Sequence, residues 1–456
     1  MARIADYPWQ YWAEHKPNHT ALWHEDEAIS WRQLSDRVQH IAAALQQQGV
    51  HEGSGVALRD KNSFELLLLY LAILSCGARV LPLNPKLPKT QVDVLLDYLN
   101  IDFIHDSEQC DWSAQTLRLP NDQNQINIAP VPYDDTRSAT MTLTSASTGM
   151  SKAAVHHIAA HLDSAAGVLA AMNYQSEDCW LLSLPLFHVS GQGIVWRWLS
   201  AGAQIAVRAP RPLHHALRCC THASLVPTQL FRLLEQPLEK LLLKEVLLGG
   251  ATIPVDLVRR AEQAGIICWC GYGLTEMAST VCAKRADARP GVGIALPGRE
   301  VRIVDQEIHL RGAGLAMGYW RNSGIEPCVD AEGWLHTRDC GAWVDGELRV
   351  LGRLDNLFFS GGENIQPEDI ERILQQHPGI RQAIVVPIDD TEFGQRPVAV
   401  LDKDEALSFD EVHDWLHDKL ARFQHPVAYY ELPESLNNGA IKIPRRAIQD
   451  WVKSKE

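Results

Sequence analysis

At 456 residues the chain is long enough for about three domains' worth of core with a cleft between them. A charged share of 21% and an apolar share of 46% describe an ordinary globular composition. The net charge of −14 argues against nucleic acid or an anionic membrane as the main partner, because their phosphates are repelled on average.

Spanning a bilayer takes roughly 20 apolar residues. The longest candidate, Leu66 to Leu74, fits a buried helix better. The stretch from Met1 to Trp9 lacks the apolar run of a secretion signal, so no membrane insertion and a place in the cytosol are expected. The ten cysteines are scattered, and neither Cys219-Cys220 nor Cys268-x-Cys270 has the spacing of a zinc knuckle or a redox pair, so buried reduced thiols are expected.

In chain order, the first 140 residues alternate helical and strand patterns. Trp31 to Leu45 puts Leu34, Val38, Ile41 and Leu45 on one helical face, and Gly49 supplies a stop. A short strand at Gly55–Leu58, a helix from Ser63 to Ser75 and a strand at Val80–Leu83 follow. This spacing predicts parallel pairing through crossover helices. The polar segment from Asn121 to Arg137 reads as a surface connection.

That connection leads into Thr142-Leu-Thr-Ser-Ala-Ser-Thr-Gly-Met-Ser-Lys152. Hydroxyls, a glycine and a lysine suit a loop that wraps a polyphosphate, since backbone N–H groups approach the oxygens closely and an ammonium offsets their charge. It is not a Walker A loop, because no Gly-Lys-Ser/Thr follows a Gly-x-x-x-x spacer. A serine-rich turn with no ligand remains the alternative for this stretch alone.

Beyond it, Trp180 to His188 is an apolar run ending in a histidine, either packed in the core or functional. Arg197 lies between Trp196 and Trp198, either stacked on indoles at the surface or held in a pocket for a carboxylate. Val246-Leu-Leu-Gly-Gly-Ala251 and Cys270-Gly-Tyr-Gly-Leu-Thr-Glu276 each read as a strand running into a glycine turn, where α/β sheets place ligands and a flat ring can lie against the backbone. Glu276 after Thr275 suits Mg²⁺, a hard cation that favours carboxylate and hydroxyl oxygens.

From Gly293 to Arg353 short strands dominate, with Asp345-Gly346 as a hairpin signal. Thr337-Arg-Asp339 and Leu351-Gly-Arg-Leu-Asp355 are expected in loops near strand ends. Pro367 sits near the first turn of a helix opening at Gln366, and strands are expected at Ala383–Pro387 and Val398–Leu401. Near the end, Asn437-Asn-Gly-Ala-Ile-Lys442 puts a lysine on a glycine-bearing turn, the usual setting of a solvated surface residue.

Taken together and in this order, these motifs resemble the adenylate-forming acyl- and aryl-CoA synthetase superfamily over nearly the whole chain. Ser183-Leu-Pro-Leu-Phe-His-Val-Ser-Gly-Gln-Gly, Trp196-Arg-Trp198, Arg353-Leu-Asp-Asn-Leu-Phe-Phe-Ser-Gly-Gly362 and Gly439-Ala-Ile-Lys442 are most similar to its branch that joins 2-succinylbenzoate to coenzyme A in menaquinone biosynthesis. The resemblance implies an α/β fold: a large N-terminal adenylation domain of layered sheets with a β-rich subdomain, residues 1–354, and a small mobile α+β domain, residues 355–456. It implies ATP, Mg²⁺ and coenzyme A, small-molecule partners only, and room for a homo-oligomer.

By the same resemblance Thr142, Ser145, Ser147, Thr148, Gly149 and Lys152 hold the β- and γ-phosphates. Gly249, Gly250 and Ala251 line the adenine, Tyr272 between Gly271 and Gly273 stacks on it, and Gly273 also borders the acyl substrate. Thr275 meets the α-phosphate, Glu276 holds Mg²⁺, and Asp339 and Arg353 bind the ribose hydroxyls. His188 and Ser190 border the acyl pocket, and Arg197 pairs with the carboxylate that is not activated. Lys442 is the adenylation lysine, Asp355 the hinge, and Gly361 and Gly362 face the pantetheine arm of coenzyme A.

Three departures accompany it. Ala146 stands where the family's phosphate loop usually has glycine, Ser151 where it has proline, and Arg338 where glycine commonly precedes the aspartate. Alanine at a positive-φ position costs about 1 kcal/mol. The alternatives are therefore a ligase of the same fold for another acid, and an impaired homologue that binds nucleotide without turnover.

Overall fold

The computed structural model describes residues 4–108, 110–119, 131–144, 152–209, 212–249, 253–289, 291–321, 324–360, 363–436 and 443–455. Two large sheets carry the N-terminal part. One has eight strands in the order Gly324–Glu326, Gly318–Arg321, Lys152–His157, Ser138–Thr144, Arg79–Leu83, Gly55–Arg59, Phe103–Asp106 and Gln115–Thr116. The other has nine, with Ser279–Arg285, Ile267–Leu274, Glu245–Leu248, His222–Leu225, Cys179–Leu181, Gln204–Val207 and Thr20–His24 as its inner members.

Helices fill the space between these sheets. In helix Trp31–Gln47, Ser30 accepts from the Gln33 amide while the Gln33 side chain accepts from the Ser30 amide, a reciprocal cap. The apolar face of Leu34, Val38, Ile41 and Leu45 is buried, and Gly49 lies beyond the end at φ +100°. Helix Phe64–Ser75, capped by Ser63, is buried along its whole length apart from Glu65 in the first turn, which is why its sequence shows no polar stripe. Both join helices Ile158–Ala171 and Val189–Ala201 in one core, with indole pairs such as Trp31–Trp198 at 5.3 Å. Helices Lys89–Tyr98 and Val255–Gln263 cover the outer faces of the two sheets, giving five alternating layers. Among the described residues no helix is long and apolar enough to cross a membrane.

The predicted strand–helix–strand unit is present. Gly55–Arg59 pairs in parallel with Arg79–Leu83, Val56 opposite Val80. A third, four-stranded antiparallel sheet comprises Arg299–Val304, Glu307–Gly312, Leu335–Val344 and Glu347–Arg353, with Asp345 and Gly346 both at positive φ in its hairpin. All ten cysteines are unbridged, but Cys219 is exposed, at φ +64° in a turn, and Cys110 and Cys328 are only half-buried.

After Arg353 the chain makes one 3₁₀ turn, Leu354–Asn356, and enters a five-stranded sheet with its own apolar clusters on either face. Arg445 on the last helix binds Glu371 at 2.5 and 3.0 Å and Glu368 at 3.2 Å, locking helix Arg445–Lys453 to helix Pro367–Leu374.

Candidate active site

Strand Ile267–Leu274 leaves its parallel neighbour and pairs antiparallel with Ser279–Arg285, the register slipping between Tyr272 and Gly273. Gly271 and Gly273 therefore lie inside a strand, not in the turn expected from the sequence. A Cβ on Gly273 would sit 2.0 Å from the Ser279 carbonyl oxygen, so glycine alone lets the two backbones close. Gly249, just past strand Glu245–Leu248, is the opposite case: no described atom lies within 4 Å of where its Cβ would be. Gly250 and Ala251 lie outside the described residues.

Tyr272 is buried among Met277, Val281, Ile308 and Leu310, and its hydroxyl donates to Asp339 Oδ2 at 2.6 Å. Burial, and then the adjacent carboxylate, push its phenol well above the usual range. Thr337, Arg338 and Asp339 are also not in a loop. They lie inside strand Leu335–Val344, and Asp339 is the register partner of Arg353, the last residue of the next strand. The strand escapes a simple alternating pattern because a threonine takes an inward position, its hydroxyl satisfied by the Ile308 carbonyl at 2.6 Å, and a bulge follows at Cys340.

The cross-strand pair opens a chain of charges. Arg353 Nη1 donates to Asp339 Oδ1 at 3.0 Å and Nη2 to Asp355 Oδ2 at 3.0 Å. Arg338 donates to Asp355 Oδ1 at 3.1 and 3.3 Å. Burial opposes ionisation of Asp355, but the two guanidinium groups outweigh it and hold the carboxyl below its usual range. Arg338 sits at φ +62°, the left-handed region that explains why glycine suits this position.

A second cluster faces the strand pair Ser138–Thr144 and Lys152–His157. Lys152 Nζ lies 4.8 Å from the ring centre of Tyr319, which enters on strand Gly318–Arg321 opposite Ala154. The Tyr319 hydroxyl donates to Glu276 Oε1 at 2.7 Å, and Glu276 sits with Thr275 on the 3₁₀ turn Thr275–Met277. No lysine or arginine pairs with the Glu276 carboxylate among the described residues. A half-buried carboxylate with one oxygen held, beside a hydroxyl residue and near a lysine, fits a hard divalent cation such as Mg²⁺. Ser145, Ser147, Thr148 and Gly149, with Ala146 and Ser151, lie outside the described residues.

The run from Trp180 to His188 is not one strand. Strand Cys179–Leu181 ends, and the segment that follows is tied by Asn62, which donates to the Leu184 carbonyl at 2.8 Å and accepts from the Leu186 amide at 3.0 Å. It turns at Pro185, and a Cβ on Gly191 would meet the Pro185 carbonyl at 2.1 Å. His188 then caps helix Val189–Ala201, half-buried, with burial pushing its imidazole down; Ser190 lies in the first turn.

On the buried side of this helix, Arg197 is 2% exposed. Its Nη2 reaches only hydroxyls, Ser279 Oγ at 3.2 Å and Thr280 Oγ1 at 3.3 Å, while Nε has no acceptor among the described residues. Its guanidinium faces Trp180 at 5.3 Å; the neighbouring indoles turn elsewhere, Trp196 to His161 and Trp198 to Trp31. Burial, and then the like charge of Arg299, push the guanidinium down from its usual value. The result is a buried cation without an anionic partner among the described residues.

Sequence reading gave no role to Tyr70 and Gln192, which join these clusters. Trp196 Nε1 donates to Tyr70 Oη at 3.2 Å, Tyr70 to Gln192 Oε1 at 3.3 Å, and Gln192 Nε2 to Thr142 Oγ1 at 2.9 Å. Tyr319, Ser279 and Thr280 were also missed. The one local signal is Gln192 itself, a polar side chain between apolar and glycine neighbours on a buried helix.

The matches to known families follow the same layout. Residues 9–320 match the AMP-binding enzyme family and residues 369–439 its C-terminal domain. The chain belongs to the AMP-binding enzyme family. Within it, the chain is 52% identical to a 2-succinylbenzoate–CoA ligase of Salmonella typhimurium, covering 98% of each, and 51% identical to that of Escherichia coli, covering 99% and 100%. Among solved structures, a variant of E. coli MenE with bound OSB-AMS superposes with a TM-score of 0.90 at 48% identity, covering 99% of each chain. An o-succinylbenzoate CoA synthetase from Bacillus subtilis, in complex with the acyl-adenylate intermediate OSB-AMP, reaches 0.84 at 26% identity over 94% of each. The two clusters, Tyr272–Asp339–Arg353 and Lys152–Tyr319–Glu276, lie at the junction of all three N-terminal sheets.

Proposed function

We propose that this AMP-binding enzyme is an acid–thiol ligase that converts 2-succinylbenzoate and coenzyme A to 2-succinylbenzoyl-CoA, AMP and diphosphate through an acyl-adenylate, in menaquinone biosynthesis. The observation that carries the choice of acid is Arg197. A buried cation without a counter-ion is costly, and a ligand carboxylate relieves that cost. An acid with one carboxylate to activate and a second to anchor satisfies it.

The first step joins a carboxylate oxygen to the α-phosphorus of ATP and expels diphosphate; the second lets the thiol displace AMP from the mixed anhydride. Lys152, Thr142 and the loop between them cradle the outer phosphates, and Thr275 contacts the α-phosphate. Mg²⁺, when bound through Glu276, neutralises phosphate charge. Asp339 and Arg353 bind the ribose hydroxyls, and the adenine lies along Gly249, with Gly250, Ala251 and Tyr272. His188, neutral because of its burial, closes the acyl side with Ser190.

Residues 1–354 form the adenylation domain and 355–456 the mobile one. Lys442 is the adenylation lysine. Rotation about Asp355 withdraws it and presents Gly361 and Gly362 to the pantetheine arm. The reaction runs in the cytosol on small-molecule substrates.

Pyrophosphate release with ATP and Mg²⁺ tests the reading, using 2-succinylbenzoate beside benzoate, succinate and a fatty acid. Turnover with 2-succinylbenzoate alone is expected. Lys442→Ala abolishes adenylation yet leaves thioester formation from supplied acyl-adenylate. Turnover with another acid overturns the substrate; silence with every acid, cured by Ala146→Gly, marks an impaired ligase.

A further inference from the structure

The four-stranded sheet carries a cluster that the ligase chemistry does not use. Glu307 and His309 are two residues apart on strand Glu307–Gly312 and so share a face. His336 on strand Leu335–Val344 is the direct register partner of His309, and the two rings lie 4.0 Å apart. One Glu307 oxygen, Oε2, is 3.3 Å from His309 Nε2 and 3.5 Å from His336 Nδ1, and the three ligand atoms all lie within 4.8 Å of one another.

Zinc bonds of about 2.0–2.2 Å to nitrogen and oxygen place tetrahedral ligands about 3.3–3.5 Å apart, which are the two spacings to the shared oxygen. The outer shell is also in place. His336 Nε2 faces Asp330 Oδ2 at 3.1 Å, the carboxylate–histidine arrangement that orients a ligating imidazole. His309 Nδ1 accepts a weak 3.4 Å contact from Arg302, whose guanidinium is drawn the other way by Glu332 at 3.2 Å and Asp330 at 3.7 Å. Metal binding at Nε2 gives up that contact. His309 is 5% exposed and His336 47%, so the site is walled on one side and open to solvent on the other.

We propose that Glu307, His309 and His336 form a binding site for a divalent transition metal of the zinc class, outside the active site, with the fourth position open to solvent. Imidazole and carboxylate donors favour such a metal over Mg²⁺. The site reaches the hinge by one step. The second oxygen of Glu307 accepts the Arg338 amide at 2.8 Å, and Arg338 grips Asp355, so an occupied site steadies the residue that holds the proposed pivot.

The test titrates chelator-treated protein with Zn²⁺ in Mg²⁺-containing buffer by calorimetry, and with Co²⁺ by visible absorption. One equivalent of Zn²⁺, with Co²⁺ bands of four-coordinate type, is expected. His309→Asn combined with His336→Asn removes that equivalent, whereas Cys219→Ser, which lacks the exposed thiol, keeps it. Absence of Zn²⁺ uptake, or uptake unchanged in the double histidine variant, overturns the proposal. Should the double variant fail to fold, Asp330→Asn decides instead: affinity about 10–100-fold lower supports the site, and unchanged affinity overturns it.

Discussion

Two arginines, Arg197 and Arg353, are set in opposite ways. Arg197 is sealed in the core against hydroxyls, with no carboxylate among the described residues. Arg353 is 40% exposed on its side chain and holds two carboxylates at 3.0 Å each. A protein that only needed stability would reverse this, pairing the buried charge and leaving the surface one solvated. On the function proposed above, the inversion separates two tasks: the unpaired charge takes a ligand carboxylate, and the paired one holds the segment that follows Arg353.

The largest expected effect breaks the first half of that contrast. Arg197→Gln should lower kcat/KM for 2-succinylbenzoate by about 10²–10³, the scale of removing one partner from a buried charged pair. It should leave Tm equal or higher, because an uncompensated cation has gone. Unchanged kinetics with a lower Tm would make Arg197 structural. Next, Tyr272→Phe removes a hydrogen bond to the ionised Asp339, of the kind worth about 1.5–3 kcal/mol. ATP KM should rise roughly tenfold or more while the KM for the acid stays put; a shift in the acid instead would move Tyr272 to the other side of the site.

Acid sharpens the contrast at the level of the whole fold. Burial pushes His156 and His222 down to about 4, with His161 and His188 also lowered. The unfolded chain therefore binds protons that the folded one refuses, and stability falls as pH drops from about 6.5 toward 4. Denaturation midpoints over that window check the sign, and His156→Gln should flatten the slope. The smallest effect belongs to the segment that follows Arg353. Arg338→Gly exchanges an exposed ion pair, typically worth 0.2–1 kcal/mol, for a backbone suited to φ +62°. Stability should change by less than about 1 kcal/mol, while the ratio of thioester formation to adenylation shifts. An unchanged ratio would detach Arg338 from the domain motion.

The glycine-bearing motifs were legible because backbone constraints pin them locally. Gly273 is glycine because a carbonyl occupies the place of its Cβ, and such a requirement leaves a mark in a short motif. Their setting was less legible: Thr337–Asp339 and Gly271–Gly273 look like turns, yet both are strand segments whose bulges hide the alternating pattern. Tyr319 and Gln192 left almost no mark. What makes Tyr319 important is its register opposite Ala154, which brings it to Lys152 and Glu276, and register between distant strands is not written in the periodicity of either.

The line of hydrogen bonds from Trp196 through Tyr70 and Gln192 to Thr142 runs unbroken from the helix of Arg197 to strand Ser138–Thr144. For two ligands bound at its two ends, linkage would make any coupling reciprocal: the factor by which one changes the affinity for the other is returned in full.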